Sequence, residues 1–128
     1  MNISEIAKLS GLSSKMIRDY ERIGLLKPAA RSNAGYRQYS TQDLDTLHFI
    51  KHARDVDFSL AQIQTLLDLK NNPQRSSAEV KQLVGEHIDT LQQKIARLQS
   101  MTATLQSWHD CCRGNDEPEC AIINGLSE

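Results

Sequence analysis

Apolar residues recur along most of the chain at intervals of three and four, a spacing that predicts amphipathic helices. Residues 4–10 carry this pattern, and Gly11 interrupts it. A second helical stretch starts after a capping serine, Ser13 or Ser14, and ends at Gly24. Two short helices joined by a tight turn that contains glycine predict a helix-turn-helix.

Residues 25–39 break the helical pattern. Pro28 and the run Arg-Ser-Asn-Ala-Gly at residues 31–35 indicate a turn. The sequence Tyr-Arg-Gln-Tyr at residues 36–39 then alternates with the period of a strand. This segment therefore predicts a small hairpin, or wing, after the two helices.

Helical patterning returns after the wing. Two predicted capping boxes, Ser40 with Asp43 and Ser59 with Gln62, open a third and a fourth helix. The sequence Asn-Asn-Pro at residues 71–73 stops the fourth helix. The buried stripes are expected to contain Leu44, Leu47, Ile50 and Ala53 in the third helix, and Ile63, Leu66 and Leu67 in the fourth.

The last long helix is predicted to begin at Ser76, which pairs with Glu79, and to run to about Trp108. Its apolar residues fit a heptad repeat, which predicts a coiled coil and favours dimerisation over packing on its own domain. The predicted seam contains Val84, Ile88, Leu91, Ile95, Leu98 and Leu105, with Thr102 in the same column as Ile88 and Ile95.

Charge is distributed unevenly along the 128 residues. Residues 1–54 hold nine Lys and Arg against five Asp and Glu, whereas residues 55–128 hold six against eleven. A basic first half indicates that this half meets a polyanion such as double-stranded DNA. Because no secretory signal or apolar run of transmembrane length is present, we expect a cytoplasmic protein with no membrane contact.

Three cysteines, Cys111, Cys112 and Cys120, lie within ten residues of one another. An odd number of clustered cysteines suits a metal or redox site better than a disulfide framework. Two thiolates can hold a soft monovalent ion such as Cu(I). Two alternatives stay open: a reversible disulfide, and a zinc-stabilised module that uses His109 with the three cysteines.

Cations, hydroxyls and aromatic rings on the second helix and the wing are the candidate DNA contacts, because a helix-turn-helix places its second helix in the major groove. A wing that combines charge with a ring suits contact with the DNA backbone. The candidate set contains Ser14, Lys15, Arg18, Tyr20, Arg22, Arg31, Tyr36, Arg37 and, at the end of the third helix, Arg54.

The sequences at residues 2–7, 17–26, 31–39 and 58–60 resemble the MerR (mercury-resistance regulator) family over nearly the whole chain. The resemblance implies a mainly helical protein with a winged helix-turn-helix at residues 1–70, an antiparallel coiled-coil helix at 76–108, and a metal-binding loop with a short C-terminal helix at 109–128. It further implies a homodimer that distorts a palindromic promoter for RNA polymerase when metal binds. An enzyme is not expected, because the sequence has no phosphate-cradling glycine loop and no helical zinc-protease motif.

The C-terminal loop resembles the copper-efflux-regulator branch of that family. The resemblance implies that Cys112 and Cys120 are the ligands for Cu(I), with Ag(I) or Au(I) as alternatives. Divalent sensors of the family place a cysteine where this chain has Ser77, so this serine argues against Zn(II), Cd(II) or Hg(II). Cys111 is interpreted as a bystander thiol, with an accessory ligand as the alternative.

Two residues depart from the family pattern. Asp19 stands where members usually carry an aromatic residue, and we expect its carboxylate to repel phosphate or to pair with Lys15 or Arg22. Asp57 stands where many members have glycine. Both substitutions concern the fine DNA contacts rather than the fold.

Overall fold

The computed structural model describes residues 1–128 as six helices and one short hairpin, which confirms the prediction of a mainly helical fold with a wing. The chain divides into two compact units, Met1–Val80 and Lys81–Glu128. No helix is long and apolar enough to cross a membrane. The elements are α1 (Ile3–Ser10), α2 (Ser14–Arg22), β1 (Ala30–Arg31), β2 (Arg37–Gln38), α3 (Thr41–Asp55), α4 (Leu60–Lys70), α5 (Ser77–Cys111) and α6 (Ala121–Ser127).

Capping interactions define the helix-turn-helix formed by α1 and α2. The Asn2 side chain accepts a hydrogen bond from the Glu5 N–H at 2.8 Å, and the Ser13 hydroxyl accepts one from the Met16 N–H at 3.1 Å. Each cap satisfies an N–H that the first turn leaves unpaired. Gly11 then takes a left-handed conformation with φ of 75° and ends α1, as the sequence predicts.

The wing is an antiparallel hairpin whose register pairs Ala30 with Gln38 and Arg31 with Arg37. Its strands are shorter than the four-residue alternation at 36–39 predicts. Tyr39 leaves the hairpin ladder because its N–H donates to the Met1 carbonyl at 2.7 Å instead. The base of the wing is therefore tied to the start of the chain.

Both predicted capping boxes are present, and they open α3 and α4. The C-terminus of α3 ends in a Schellman arrangement, in which the Asp57 N–H donates to Arg54 and the Phe58 N–H to Ala53. Asp57 has φ of 69° and is the one residue other than glycine with a positive φ. A positive φ favours glycine, so the substitution of glycine by Asp57 affects the backbone conformation at the end of α3.

The core of Met1–Val80 is built from the apolar faces of its four helices and from the segment after α2. Leu47, Ile50 and Ala53 are buried in α3, as predicted, whereas Leu44 is half-buried. In α4, Ile63 and Leu67 are buried and Leu66 is half-buried. The side chains with almost no exposure are Ile6, Ile17, Leu26, Leu47, Ile50 and Ile63.

Helix α5 contains 35 residues and ends three residues beyond the predicted Trp108. At 1.5 Å per residue it is about 52 Å long. Its apolar residues do not form an internal core: most of the predicted seam is between about a third and three-fifths exposed. The exposed seam residues are Val84, Ile88, Ile95, Leu98 and Leu105, and Leu91 is half-buried.

A short helix, α6, follows the loop after α5, and the two elements meet at one close contact. A Cβ atom placed on Gly125 of α6 would lie 2.6 Å from Nε1 and 2.8 Å from Cζ2 of Trp108. The backbone of α6 therefore lies directly on the indole ring near the end of α5. Only a residue without a side chain permits this approach.

Candidate metal centre and nucleic-acid interface

The two ends of the loop that joins α5 to α6 bring a pair of thiols together. Cys112 follows the last residue of α5, and its N–H donates to the Trp108 carbonyl at 3.1 Å. Cys120 is the residue that precedes α6, in an extended conformation. The two Sγ atoms lie 3.4 Å apart, and both residues are half-buried.

The start of α6 favours a thiolate at Cys120. The backbone N–H of Ile123, the Cys112 thiol and the backbone N–H of Ile122 hold the pKa of Cys120 below its usual value, against the small effect of desolvation. Hydrogen bonds to the charged form stabilise that form. Because the thiolate is the form that ligates a metal, this environment prepares Cys120 for the role.

The other candidate ligands do not join the pair. Cys111 is exposed at the end of α5, where it borders a shallow cavity of about 220 Å³ with Cys112 and Arg113. The His109 ring lies 3.3 Å from the Asp110 carboxylate, which also accepts a hydrogen bond from Gln106. Within the chain, no group of three or more His, Cys, Asp and Glu side chains is arranged around one point.

The donor set of the thiol pair fits a soft ion. Thiolate sulfur selects Cu(I) and similar ions, and two thiolates suffice for a monovalent ion. Cys112 and Cys120, whose sulfur atoms lie 3.4 Å apart, are the residues that would hold such an ion. Ser77, the first residue of α5, is exposed and offers a hydroxyl in place of a further thiolate.

Helix α2 presents three cations to solvent: Lys15, Arg18 and Arg22. Ser14, at the start of the helix, is half-buried. Arg22 donates to the Asp19 carboxylate at 3.1 Å, which is one of the two pairings expected for Asp19. The pair lies on the surface, so it offsets the negative charge of Asp19 without fixing either side chain firmly.

The wing and α2 together border a groove of about 420 Å³. It combines cations from both elements with one aromatic ring, and the side chain of Tyr36 is 72% exposed. Such a surface suits contact with phosphates and sugars. The sequence-predicted residues that line this groove are Arg18, Arg31, Tyr36 and Arg37.

Two members of the predicted DNA-contact set lie elsewhere. Tyr20 is 5% exposed, because it follows Ile17 by one helical turn and faces the core. Its inclusion as a DNA contact is wrong, and its ring packs inside the domain. Arg54 is exposed, but its guanidinium donates to the Phe58 carbonyl at 3.0 Å beside the end of α3 and does not line the groove.

Glu21 is a structural residue of this surface that the sequence analysis missed. Its carboxylate accepts hydrogen bonds from the Ala29 N–H at 2.9 Å and the Tyr39 hydroxyl at 3.3 Å, and lies 3.3 Å from Nε of Arg37. The side chain of Glu21 is 9% exposed. One carboxylate on α2 thus anchors both ends of the wing.

The same carboxylate affects Tyr39. Burial, followed by the negative charge of Glu21, raises the pKa of Tyr39 above its usual value, and Arg37 opposes that effect. The phenol therefore stays protonated and continues to donate to Glu21. No local pattern marks Glu21, because its partners follow it by eight to eighteen residues.

Comparison with known proteins gives consistent matches. Residues 1–70 match the family described as MerR HTH family regulatory protein, and residues 44–108 match the one described as MerR, DNA binding. A probable heavy metal-dependent transcriptional regulator of Haemophilus influenzae is 61% identical over 127 residues, covering 99% of both chains. The transcriptional regulator CueR of Escherichia coli O6:H1 is 45% identical, covering 99% of this chain and 94% of its own.

A solved structure supports the same family relationship. The transcription regulator PbrR691 of Ralstonia metallidurans CH34, in complex with lead(II), has a TM-score of 0.83 and 34% identity, with 98% of each chain covered. The matched relatives are regulators of transcription, which confirms the expectation that this chain is not an enzyme.

Proposed function

Because the chain belongs to the MerR family of helix-turn-helix regulatory proteins, we propose that it is a metal-responsive transcription regulator. In this proposal it binds promoter DNA as a homodimer and activates genes of metal efflux or resistance. The effector is Cu(I), with Ag(I) or Au(I) as chemically equivalent ions. The observation that carries the proposal is the pair of half-buried thiols of Cys112 and Cys120, 3.4 Å apart.

The electrostatics of the loop support a monovalent effector. One monovalent ion and two thiolates have a net charge of −1, which the N–H groups of Ile122 and Ile123 beside the Cys120 sulfur would stabilise. A divalent ion prefers four ligands in a closed site, and Ser77 provides no thiolate toward such a site. The resemblance of the loop to the copper-efflux-regulator branch agrees with this choice of ion. The names of other relatives point to heavy metals, to lead(II) or to mercury(II).

The groove beside the wing supports the DNA-binding part of the proposal. In this arrangement Lys15, Arg18 and Arg22 on α2 face the major groove, and the cations and ring of the wing contact the backbone. Phosphate contacts of this kind position a protein and make its affinity dependent on salt. Ser14, at the start of α2, is assigned a supporting contact, and Arg54, at the end of α3 and away from the groove, a separate phosphate contact.

The exposed apolar stripe of α5 supports a dimer. A helix about 52 Å long with half-exposed Ile95, Leu98 and Leu105 is stable in water when a second helix covers that face. We assign this role to a second copy, packed as an antiparallel coiled coil. The functional regions would then be 1–70 for DNA, 76–108 for dimerisation and 109–128 for metal.

The proposed mechanism is a change of DNA shape. Metal at Cys112 and Cys120 would fix the loop and α6, and so bias the angle between the two DNA-binding domains of the dimer. Bending a promoter by such a rotation costs on the order of a few kcal/mol, offset by contacts that the bend permits. RNA polymerase would then use a promoter whose two elements have been aligned.

The test is transcription in vitro from a cognate promoter, with footprinting of the same samples. We expect apo and Cu(I)-bound protein to protect the same DNA, and only the Cu(I)-bound form to activate transcription. Cys112→Ser should protect DNA and fail to activate, whereas Cys111→Ser should behave like the wild type. Metal that merely switches DNA binding on or off would contradict the mechanism.

Selectivity has its own test. Ser77→Cys should gain a response to Zn(II), because it adds a thiolate at the position that we assign to divalent selectivity. Ala78→Cys, on the next exposed residue, is the matched control and should gain none. An unchanged Zn(II) response in Ser77→Cys would contradict the role assigned to Ser77.

The 3.4 Å separation of the sulfurs also favours a second candidate function, redox sensing. Two thiols at contact distance need to approach by only about 1.4 Å to reach the bond length of a disulfide. A redox sensor would respond to oxidant in the absence of metal, and would be insensitive to Cu(I) while reduced. The transcription assay with peroxide and without metal distinguishes the two functions.

A further inference from the structure

Two histidines, His48 and His52, lie one turn apart on the same face of α3, far along the chain from the cysteines. Their ring centroids are 6.4 Å apart and the rings are nearly parallel, with an interplanar angle of 22°. His52 is exposed and His48 is half-buried. Two imidazoles at positions i and i+4 of a helix present the spacing that chelates a metal ion from one side.

The environment of His48 prepares its ring for ligation. Nε2 of His48 lies 3.3 Å from the Leu9 carbonyl, at the end of α1. A carbonyl only accepts, so this contact places the hydrogen on Nε2 and leaves the lone pair of the neutral ring on Nδ1. Metal-ligating histidines almost always donate their other ring N–H to such an acceptor, which fixes the tautomer and orients the ring.

The charges around the pair also suit a cation. Lys51 lies between the two histidines in sequence, and its ammonium group is paired with the Asp55 carboxylate at 3.5 Å. Asp45 and Asp55 extend the same helical stripe at three residues before His48 and three after His52. The Asp55 carboxylate thus offsets the nearby ammonium group of Lys51, and Asp45 places a further carboxylate about one turn before His48.

We propose that His48 and His52 form a second metal site, which takes a divalent ion of the imidazole-binding class, such as Ni(II) or Zn(II). Imidazole nitrogen suits these ions, whereas the thiol pair suits soft monovalent ions, so the two sites would differ in selectivity. Water would complete the coordination. Because His48 also contacts Leu9, a bound ion would fix the packing of α3 against the end of α1 within the helix-turn-helix.

The site is tested on the full chain with Cys111, Cys112 and Cys120 all changed to Ser, so that no thiol competes. Ni(II) is titrated calorimetrically near pH 7.5, and the paramagnetic broadening of amide signals is recorded by NMR. We expect one Ni(II) per chain, broadening centred on residues 48–52, and a higher Tm with metal, since an ion that binds only the folded state stabilises it.

His52→Ala is the decisive variant, because it leaves the contact between His48 and Leu9 intact. It should weaken Ni(II) binding at least about tenfold, as expected for loss of one of two chelating ligands. His109→Ala removes another exposed helical histidine and should leave the affinity unchanged. Binding that survives His52→Ala, broadening centred on another histidine, or no binding below millimolar Ni(II) would each overturn the proposal.

Discussion

Replacing Glu21 with alanine removes the one carboxylate that joins α2 to the wing. Its loss leaves the Ala29 N–H and the Tyr39 hydroxyl without their acceptor and Arg37 without its partner. An unsatisfied buried donor costs about 1–3 kcal/mol. The ion pair adds little, at most about 1 kcal/mol, because the Arg37 side chain is 36% exposed.

Water can reach the half-buried Ala29 N–H and replace part of its lost hydrogen bond, whereas the buried Tyr39 hydroxyl has no such replacement. We therefore expect Glu21→Ala to lower the free energy of unfolding by about 2–4 kcal/mol. Glu21→Gln keeps one carbonyl acceptor and should lose only about 1 kcal/mol. The assay is urea denaturation followed by far-UV circular dichroism, at fixed protein concentration because a dimer makes stability depend on it. Tryptophan fluorescence would report on the wrong unit, since Trp108 lies in α5.

A double-mutant cycle with Tyr39→Phe isolates the central contact. If Glu21 and Tyr39 interact as described, removing the Tyr39 hydroxyl should cost about 1 kcal/mol less when Glu21 is already alanine. DNA affinity should fall with Glu21→Ala even under conditions where the domain is folded, because the wing loses its anchor. A loss of stability below about 0.5 kcal/mol, or additive effects of the two substitutions, would refute this reasoning.

Three further predictions concern the backbone and the metal loop. Asp57→Gly should be more stable than Asp57→Ala by about 1 kcal/mol in urea denaturation, because both lack the carboxylate and only alanine is strained at φ of 69°; equal stabilities would contradict the left-handed assignment. Gly125→Ala should displace α6 from Trp108, seen as a shift in tryptophan emission and a lower Cu(I) affinity, whereas Gly85→Ala, where an added Cβ meets nothing within 4 Å, should change neither. Cu(I) affinity should rise with pH, because each ligating thiol must lose its proton. The slope of log K against pH should be about two at low pH, and it should fall toward one as the pH passes the lowered pKa of Cys120, before the second thiol ionises. An affinity that does not change with pH would contradict thiolate ligation.

Local signals in the sequence account for most of the fold. The capping boxes at Ser40 and Ser59 depend on side chains three residues apart, so they could be recognised directly and both are present. Gly11 marks the end of α1 for an equally local reason, since its backbone takes a positive φ. The short C-terminal helix that the family resemblance implies extends over seven residues, Ala121–Ser127.

Contacts between distant residues could not be predicted in the same way. The carboxylate of Glu21 finds partners in the wing, and the carbonyl of Met1 receives the N–H of Tyr39. Tyr20 differs, because its ring and hydroxyl suit a DNA contact while its spacing from Ile17 predicts a buried position, and the structure buries it. The pairing of Cys112 with Cys120 depends on the loop geometry, which spacing alone leaves open.

The most direct test of the proposed function is an anaerobic titration of the reduced protein with Cu(I) against a competing chelator, with Zn(II) in parallel. We predict tight binding of up to one Cu(I) per chain at the thiol pair and its loss in both Cys112→Ser and Cys120→Ser. Cys111→Ser should retain it. We predict only weak Zn(II) binding, which survives these cysteine substitutions. Tight Zn(II) binding that requires Cys111 together with the other two cysteines would contradict the account of a monovalent-metal sensor.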